Sequence, residues 1–155
     1  MSKSINVLNE ILVDIFNDIL SIEQNALQRG EFKDLSITEM HTIEAISLYD
    51  KKTMSEVAAN LKITVGTLTT AINNLVKKGY VERSRSEEDR RIVFINLTKK
   101  GKLAYRIHEK FHSDMVKETI SGLSEEEEEI LITSLEKLNT FFKVKYGLET
   151  NKKEK

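Results

Sequence analysis

Apolar residues near the start of the chain recur every three to four positions: Leu8, Ile11, Leu12, Ile15, Phe16, Ile19 and Ile22, with Ile5, Leu20 and Leu27 beside them. This spacing predicts one long amphipathic helix. The apolar face is wide for a helix at the edge of a small domain, and burial against a second chain would account for the width. Around Gly30 the pattern lapses into a loop that runs from Arg29 to Leu35. Ser36 and Glu39 then have the S-x-x-E spacing of a capping box, in which each side chain satisfies a backbone N–H of the other. The helix they open is expected to bury Met40, Ile43, Ile46 and Leu48 and to end near Asp50-Lys51-Lys52. Thr53 and Glu56 repeat the box ahead of a short helix with Val57, Ala58 and Leu61. Thr64 caps a fourth helix, with Leu68, Ala71, Ile72, Leu75 and Val76 on its inner face. Lys77-Lys78-Gly79 has the form of a helix end, with cations near the negative dipole terminus and glycine just beyond.

The period then drops to two. Val81 to Arg85 reads as a strand, Ser86 to Asp89 as a polar turn, and Ile92 to Leu97 as a second strand, together a two-stranded hairpin. Thr98-Lys99-Lys100-Gly101 leads into a helix carrying Leu103, Ala104, Ile107, Phe111, Met115 and Ile120. Ser124 precedes five glutamates, placed where a helix N-terminus favours negative charge, so they are assigned no catalytic role. Ile130, Leu131, Leu135, Leu138, Phe142 and Tyr146 form the apolar face of this last helix.

Composition sharpens the picture. The 155 residues include no cysteine and no proline, which excludes disulfides, thiolate chemistry and proline-rich linkers. There is no G-x-S-x-G, P-loop or G-x-G-x-x-G, so neither an enzyme nor a cofactor is expected. No apolar run approaches a membrane span, and the first residues lack the pattern of a signal peptide, so a cytoplasmic location is expected. The net charge of −1 hides a division: Asp50 to Lys110 carries 14 Lys and Arg against 7 Asp and Glu, a net of +7 between acidic ends. Such a basic centre is the electrostatic footprint of a polyanion-binding surface.

Three helices followed by a basic hairpin make a winged helix-turn-helix, a mainly α fold with a small β-hairpin wing. In such a fold the N-terminal residues of the recognition helix read base edges in the major groove. Here they are Thr64, Val65, Gly66, Thr67, Thr69, Thr70 and Asn73, mostly small and hydroxyl-bearing. Threonine is an indifferent helix former, so helix propensity alone does not explain four of them in seven positions. The hairpin carries Arg83, Arg85, Arg90 and Arg91 around Asp89. Arginine gains from the negative potential of a narrow minor groove, and a neighbouring aspartate can orient it by a bidentate pair. Lys99, Lys100 and Lys102 follow, where phosphates would run.

Residues Thr64 to Gly101 resemble the DNA-binding core of the MarR family of bacterial transcription regulators. The likeness rests on the helix-turn-helix, on Lys78-Gly79-Tyr80-Val81-Glu82-Arg83, and on Asp89-Arg90-Arg91 with Leu97-Thr98-Lys99-Lys100-Gly101. The family's Asp-x-Arg wing signature falls on Asp89 and Arg91, while Ile92 and Phe94 replace its longer form. The resemblance implies a homodimer held by N- and C-terminal helices. Residues 1–35 and 102–149 would form the dimerisation region, residues 36–101 the winged helix-turn-helix, and residues 150–155 a disordered tail. A narrower resemblance, to the FabT-type repressors of fatty acid biosynthesis, is carried by Ser36 to Ile43, Thr64 to Thr70, Arg85 to Arg91 and Arg106 to His112. It implies long-chain acyl-acyl carrier protein as corepressor, with its acyl chain in an apolar tunnel.

Candidate tunnel residues are Phe16, Ile19, Met40, Ile43, Ile107, Phe111 and Met115. Arg29, Lys33, Arg106 and Lys110 are candidates for docking the acidic carrier. A rival effector site lies in the three histidines. His108 and His112 are i,i+4 on one helix face, a spacing that can hold Zn²⁺, and His41 lies on an earlier helix beside Glu39 and Glu44. The alternative reading is therefore a zinc-responsive repressor using His41, His108 and His112.

Overall fold

The structure, a computed structural model, describes residues 3–148. The segment 150–155, expected to be a disordered tail, lies outside the described residues. Six helices and three short strands follow one another as α1 (Lys3–Arg29), α2 (Ile37–Ile46), β1 (Lys52–Thr53), α3 (Met54–Leu61), α4 (Val65–Lys77), β2 (Val81–Arg85), β3 (Val93–Leu97), α5 (Lys99–Ile120) and α6 (Glu125–Tyr146). This is the winged helix-turn-helix fold that the hydrophobic pattern predicts.

The local start signals act as expected. Ser36 caps α2 with a full reciprocal box to Glu39, and Ser124 does the same for α6 with Glu127. Thr53 accepts from the Glu56 N–H at 3.1 Å, but the returning bond from the Glu56 side chain is not made. Gly79 ends the turn after α4 with φ +84°, a conformation that glycine adopts without steric cost.

Two elements depart from the sequence expectation. Helix α2 stops at Ile46 rather than near residue 50, because Ser47 takes φ 74° and ψ 161° and turns the chain out of the helix. The wing is not a two-stranded hairpin alone. Lys52 and Thr53 pair with Ile95 and Phe94, giving a three-stranded antiparallel sheet in the order β1-β3-β2. The short β1 thereby anchors the wing to the start of α3.

The core sits in the winged unit. Met40, Ile43 and Ile46 of α2, Val57 of α3, Leu68, Ile72 and Leu75 of α4, and Tyr80, Val81, Ile95 and Leu97 around the sheet are all buried. At about 25 cal/mol per Å² of apolar surface, each such side chain contributes roughly 1.5–3 kcal/mol. The terminal helices are different. Ile5, Leu8, Ile11, Leu12, Ile15 and Phe16 of α1 are all exposed, and α6 contains no buried residue although it carries Ile130, Leu131, Leu135, Phe141 and Phe142. These apolar faces, too large for scattered surface residues, find no partner among the described residues.

Candidate nucleic-acid interface and the cluster beneath it

The recognition helix is built from its cap outward. The Thr64 hydroxyl accepts from the Thr67 N–H at 3.1 Å and donates to the Thr67 hydroxyl at 2.9 Å, while the Thr69 hydroxyl donates to the Val65 carbonyl at 2.8 Å. Three of the four threonines thus hold their own helix terminus, leaving lone pairs and methyl groups for a ligand. Thr64, Val65, Gly66, Thr67 and Thr70 are exposed, Thr69 and Asn73 half-buried, so all seven predicted reading positions lie on the accessible side. Leu68, Ile72 and Leu75 fasten the opposite face to the core. The first turn carries no acidic side chain.

The wing tip has the predicted pair. Asp89 Oδ1 accepts from the Arg91 backbone N–H at 3.1 Å and from Nε at 3.0 Å, and Oδ2 accepts from a terminal guanidinium nitrogen at 3.0 Å. The pair sits in a turn closed by Ser86 N–H to the Ile92 carbonyl and Ile92 N–H to the Asp89 carbonyl, each 3.0 Å. Arg91 is 91% exposed at its side chain, so its guanidinium is oriented yet open to a ligand. These bonds hold the Asp89 carboxyl below the usual carboxylate range. The pair is therefore present at neutral pH and is lost only as pH falls through that lowered value. Arg83, Arg85 and Arg90 are also exposed, and Arg85 donates to the Arg90 carbonyl at 3.1 Å. Asp89→Asn is expected to weaken operator binding several-fold with no change in melting temperature, as read by anisotropy and circular dichroism. It removes the charge that orients Arg91 but only an exposed ion pair from the fold.

Of the three lysines assigned to phosphate, Lys100 has a different occupation. Its ammonium donates to the Lys78 carbonyl at 3.0 Å and lies 4.3 Å from the centre of the Tyr80 ring. Lys78 in turn bonds the Asp34 carbonyl and Glu39 Oε2, the latter at 2.8 Å. The Tyr80 hydroxyl donates to Asp34 Oδ1 at 2.6 Å, and Phe32 meets the Tyr80 ring edge-on with centroids 6.0 Å apart. This network clamps the loop before α2 to the end of α4 and the root of the wing.

A cavity of about 150 Å³ opens between α1, the Gly30–Phe32 loop, α2 and α5. Of the seven predicted tunnel residues, Met40, Ile107 and Phe111 line it, joined by Leu27, Phe32 and Ala104. The other four do not. Ile43 is fully buried in the core, Phe16 and Ile19 lie exposed along α1, and Met115 sits one turn farther along α5.

The three histidines do converge. Glu23 of α1, only 4% exposed, places Oε2 3.4 Å from His41 Nε2 and Oε1 3.9 Å from His108 Nε2. His112 Nε2 bonds the same Oε1 and lies 3.0 Å from His108 Nε2. Glu44 Oε1 approaches His108 Nε2 at 3.4 Å. Burial, with the neighbouring His112, pushes His108 down to about 4, and burial raises Glu44. Glu39, the other acid named near His41, instead caps α2 and holds Lys78. Sequence spacing missed Glu23, which lies on an otherwise solvent-facing helix. Its one signal is position, four residues before Leu27, the first core residue of α1.

An exposed recognition helix capped by threonines, beside an arginine-tipped wing, defines a DNA-binding regulator. The chain belongs to the MarR-like winged-helix transcriptional regulators and, within them, to the family described as transcriptional regulator SarA/Rot, which matches residues 30–107. It is similar to FabT of Streptococcus pneumoniae, whose crystal structure is in complex with DNA, with 48% identity and a TM-score of 0.85, covering 89% of this chain and 96% of that one. The HTH-type regulator YfiV of Bacillus subtilis is 31% identical over 78% of this chain and 72% of its own length. SarZ of Staphylococcus haemolyticus is 35% identical over 66% of this chain and 68% of its own. Among the described residues, no helix is long and apolar enough to cross a membrane.

Proposed function

We propose that this chain is a FabT-like repressor of fatty acid biosynthesis genes that binds a pseudo-palindromic operator as a homodimer, with long-chain acyl-acyl carrier protein as corepressor. The observation that carries the reading is the apolar cavity under α2 and α5 in a chain 48% identical to a DNA-bound FabT. The exposed faces of α1 and α6 pack against those of a second copy. Two recognition helices then meet successive major grooves, with half-sites about 10 bp apart, and the two Arg91 side chains enter the flanking minor grooves.

The cavity of about 150 Å³ is smaller than the roughly 300–1,000 Å³ of ordinary ligand pockets. A long acyl chain must therefore widen it or continue along the apolar face of α1 toward the partner. Each methylene it buries contributes roughly 0.8 kcal/mol. Phe32 forms part of the cavity and touches Tyr80, so a chain in the cavity bears on the ring that links Asp34 to the base of the wing. The corepressor acts by binding the DNA-competent spacing of the two wings more tightly than the other.

Fluorescence anisotropy on a fatty acid synthesis promoter tests the reading at fixed salt with chelator present. Palmitoyl-acyl carrier protein is expected to tighten binding roughly ten-fold or more, within the usual range of allosteric coupling, and unloaded carrier is not. Ala26→Trp, which adds bulk to the cavity lining from α1, is expected to keep basal DNA affinity and lose the response. Equal affinity with and without the loaded carrier would overturn the corepressor assignment.

A further inference from the structure

The acidic residues of the basic centre are not scattered. Of the 7 between Asp50 and Lys110, three fall together at the wing tip as Glu87, Glu88 and Asp89, while Thr64 to Lys78, the recognition helix with its caps, carries none. The tip from Arg85 to Arg91 therefore has three arginines and three acids, a net charge of zero inside a segment of net +7. A wing that only gripped phosphates would concentrate cations there instead. Asp89 is explained by its bonds to Arg91. Glu87 and Glu88 are not. Both are exposed, and among the described residues neither carboxylate has a hydrogen-bond or ion-pair partner.

The backbone sorts these charges. The tip is two turns, back to back, that share Asp89. The first is closed by the Asp89 N–H to Ser86 Oγ at 3.3 Å and holds Glu87 and Glu88. The second is closed by the Ile92 N–H to the Asp89 carbonyl at 3.0 Å and holds Arg90 and Arg91. Arg85 donates to the Arg90 carbonyl and fastens this second turn to strand β2. Neither closing bond uses the side chain of Glu87 or Glu88, so the turns do not require carboxylates there. A net-positive tip is drawn to phosphates in any orientation. A neutral tip divided in this way is drawn to DNA when its arginine turn leads and repelled when its acidic turn does.

We propose that Glu87 and Glu88 are specificity-determining residues: their charge makes attachment of the wing conditional on Arg91 entering a groove, and so suppresses binding to duplexes that offer no fitting groove. Discrimination is a difference of two affinities, and a built-in repulsion that acts mainly in the wrong complexes widens it. The inference rests on the reading that the wing faces DNA, but on no effector.

Glu87→Gln/Glu88→Gln removes both charges and keeps side-chain size, and its melting temperature should match the parent's because both positions are exposed. Anisotropy is measured on two duplexes of equal length, one selected by the parent protein from a random pool and one of unrelated sequence. The variant is expected to bind the unrelated duplex roughly ten-fold more tightly and the selected one by no more than about three-fold, the scale of one or two exposed charge interactions. The gap should narrow as salt rises, because repulsion through solvent is screened within about 10 Å at 0.1 M. Glu118→Gln, exposed near the C-terminal end of α5, should change neither affinity. An equal gain on both duplexes, no gain on either, a loss on the selected duplex, or a gain that persists undiminished at high salt would overturn the assignment. Arg91→Ala on the same duplexes separates this from failure of the wing reading. A large loss there with no gain in the glutamine variant sinks the charge inference alone, whereas unchanged affinity in both variants removes the wing from the DNA and the inference with it.

Discussion

Replacing Arg91 with alanine is expected to reduce operator affinity by roughly ten- to a hundred-fold for each wing, and by the product of the two in a symmetric dimer. The expectation rests on preorganisation. In the free chain the guanidinium is already aligned by two bonds to Asp89, and the turn that carries it is closed by two backbone bonds. Little side-chain entropy is therefore lost when it enters a groove. Its own contacts within the fold are exposed ones, so the variant should melt where the parent does. Arg91→Lys should recover only part of the loss, because an ammonium cannot make the two-pronged contact to Asp89. Anisotropy on the same DNA fragment checks this, together with an unrelated sequence of equal length to separate groove reading from general phosphate attraction. An Arg91→Ala dimer with unchanged affinity would remove the wing from the recognition surface.

Gly101→Ala is expected to damage the fold itself. Gly101 lies in the first turn of α5, where alanine would ordinarily gain about 1 kcal/mol in helix propensity. A Cβ at this position, however, would lie 2.1 Å from the Tyr80 carbonyl oxygen and 3.3 Å from the Leu97 Cβ. The oxygen cannot retreat cheaply, because it also accepts from the Thr98 N–H at 3.0 Å. Thr98 in turn caps α5 through Gly101 and donates to the Gly79 carbonyl at 2.6 Å. Relief of the clash must therefore separate α5 from the wing root. A net loss of about 3 kcal/mol, the upper part of the overpacking range, would lower the melting temperature by roughly 10 °C in a chain of this length. Gly122→Ala is the control: nothing lies within 4 Å of the added carbon, and its melting temperature should stay within a degree or two. Thermal circular dichroism of the two variants decides the matter.

What was legible in the sequence was local. The capping residues Ser36, Thr53, Thr64, Thr98 and Ser124 each open the helix that follows them, because the signal and the bond it makes lie within three residues. Asp89 and Arg91 were legible for the same reason. Features made by residues far apart were not. Strand β1 has only two residues and exists because β3 offers it an edge. Lys78 and Tyr80 read as a helix end and a strand start, yet their partner Asp34 is 44 and 46 residues away. In the sequence Lys100 reads as one more phosphate ligand, but its ammonium lies over the Tyr80 ring, a residue 20 positions away. The α1 pattern announced an apolar face but not its division. One turn holds Leu27 against the core and Glu23 against the histidines, while Phe16 and Ile19 remain outside the cavity they were expected to line. Periodicity reports that a face is apolar, not which neighbour covers it.

The clamp around Tyr80 also changes how the basic centre of the chain behaves toward ions. Lys52 donates to the Ala45 carbonyl at 3.1 Å, Lys78 is held by Asp34 and Glu39, and Lys100 is spread between a carbonyl and an aromatic face. These cations are already solvated by the protein itself. They contribute to the long-range field that draws in a polyanion, but they do not each displace a counterion from a phosphate. The number of ions released on binding, and with it the steepness with which affinity falls as salt rises, is therefore smaller than the net charge of +7 over Asp50 to Lys110 suggests. A regulator built this way keeps more of its grip at high salt than its charge count implies, and it relies correspondingly more on the shape of its helix and wing to choose where it settles.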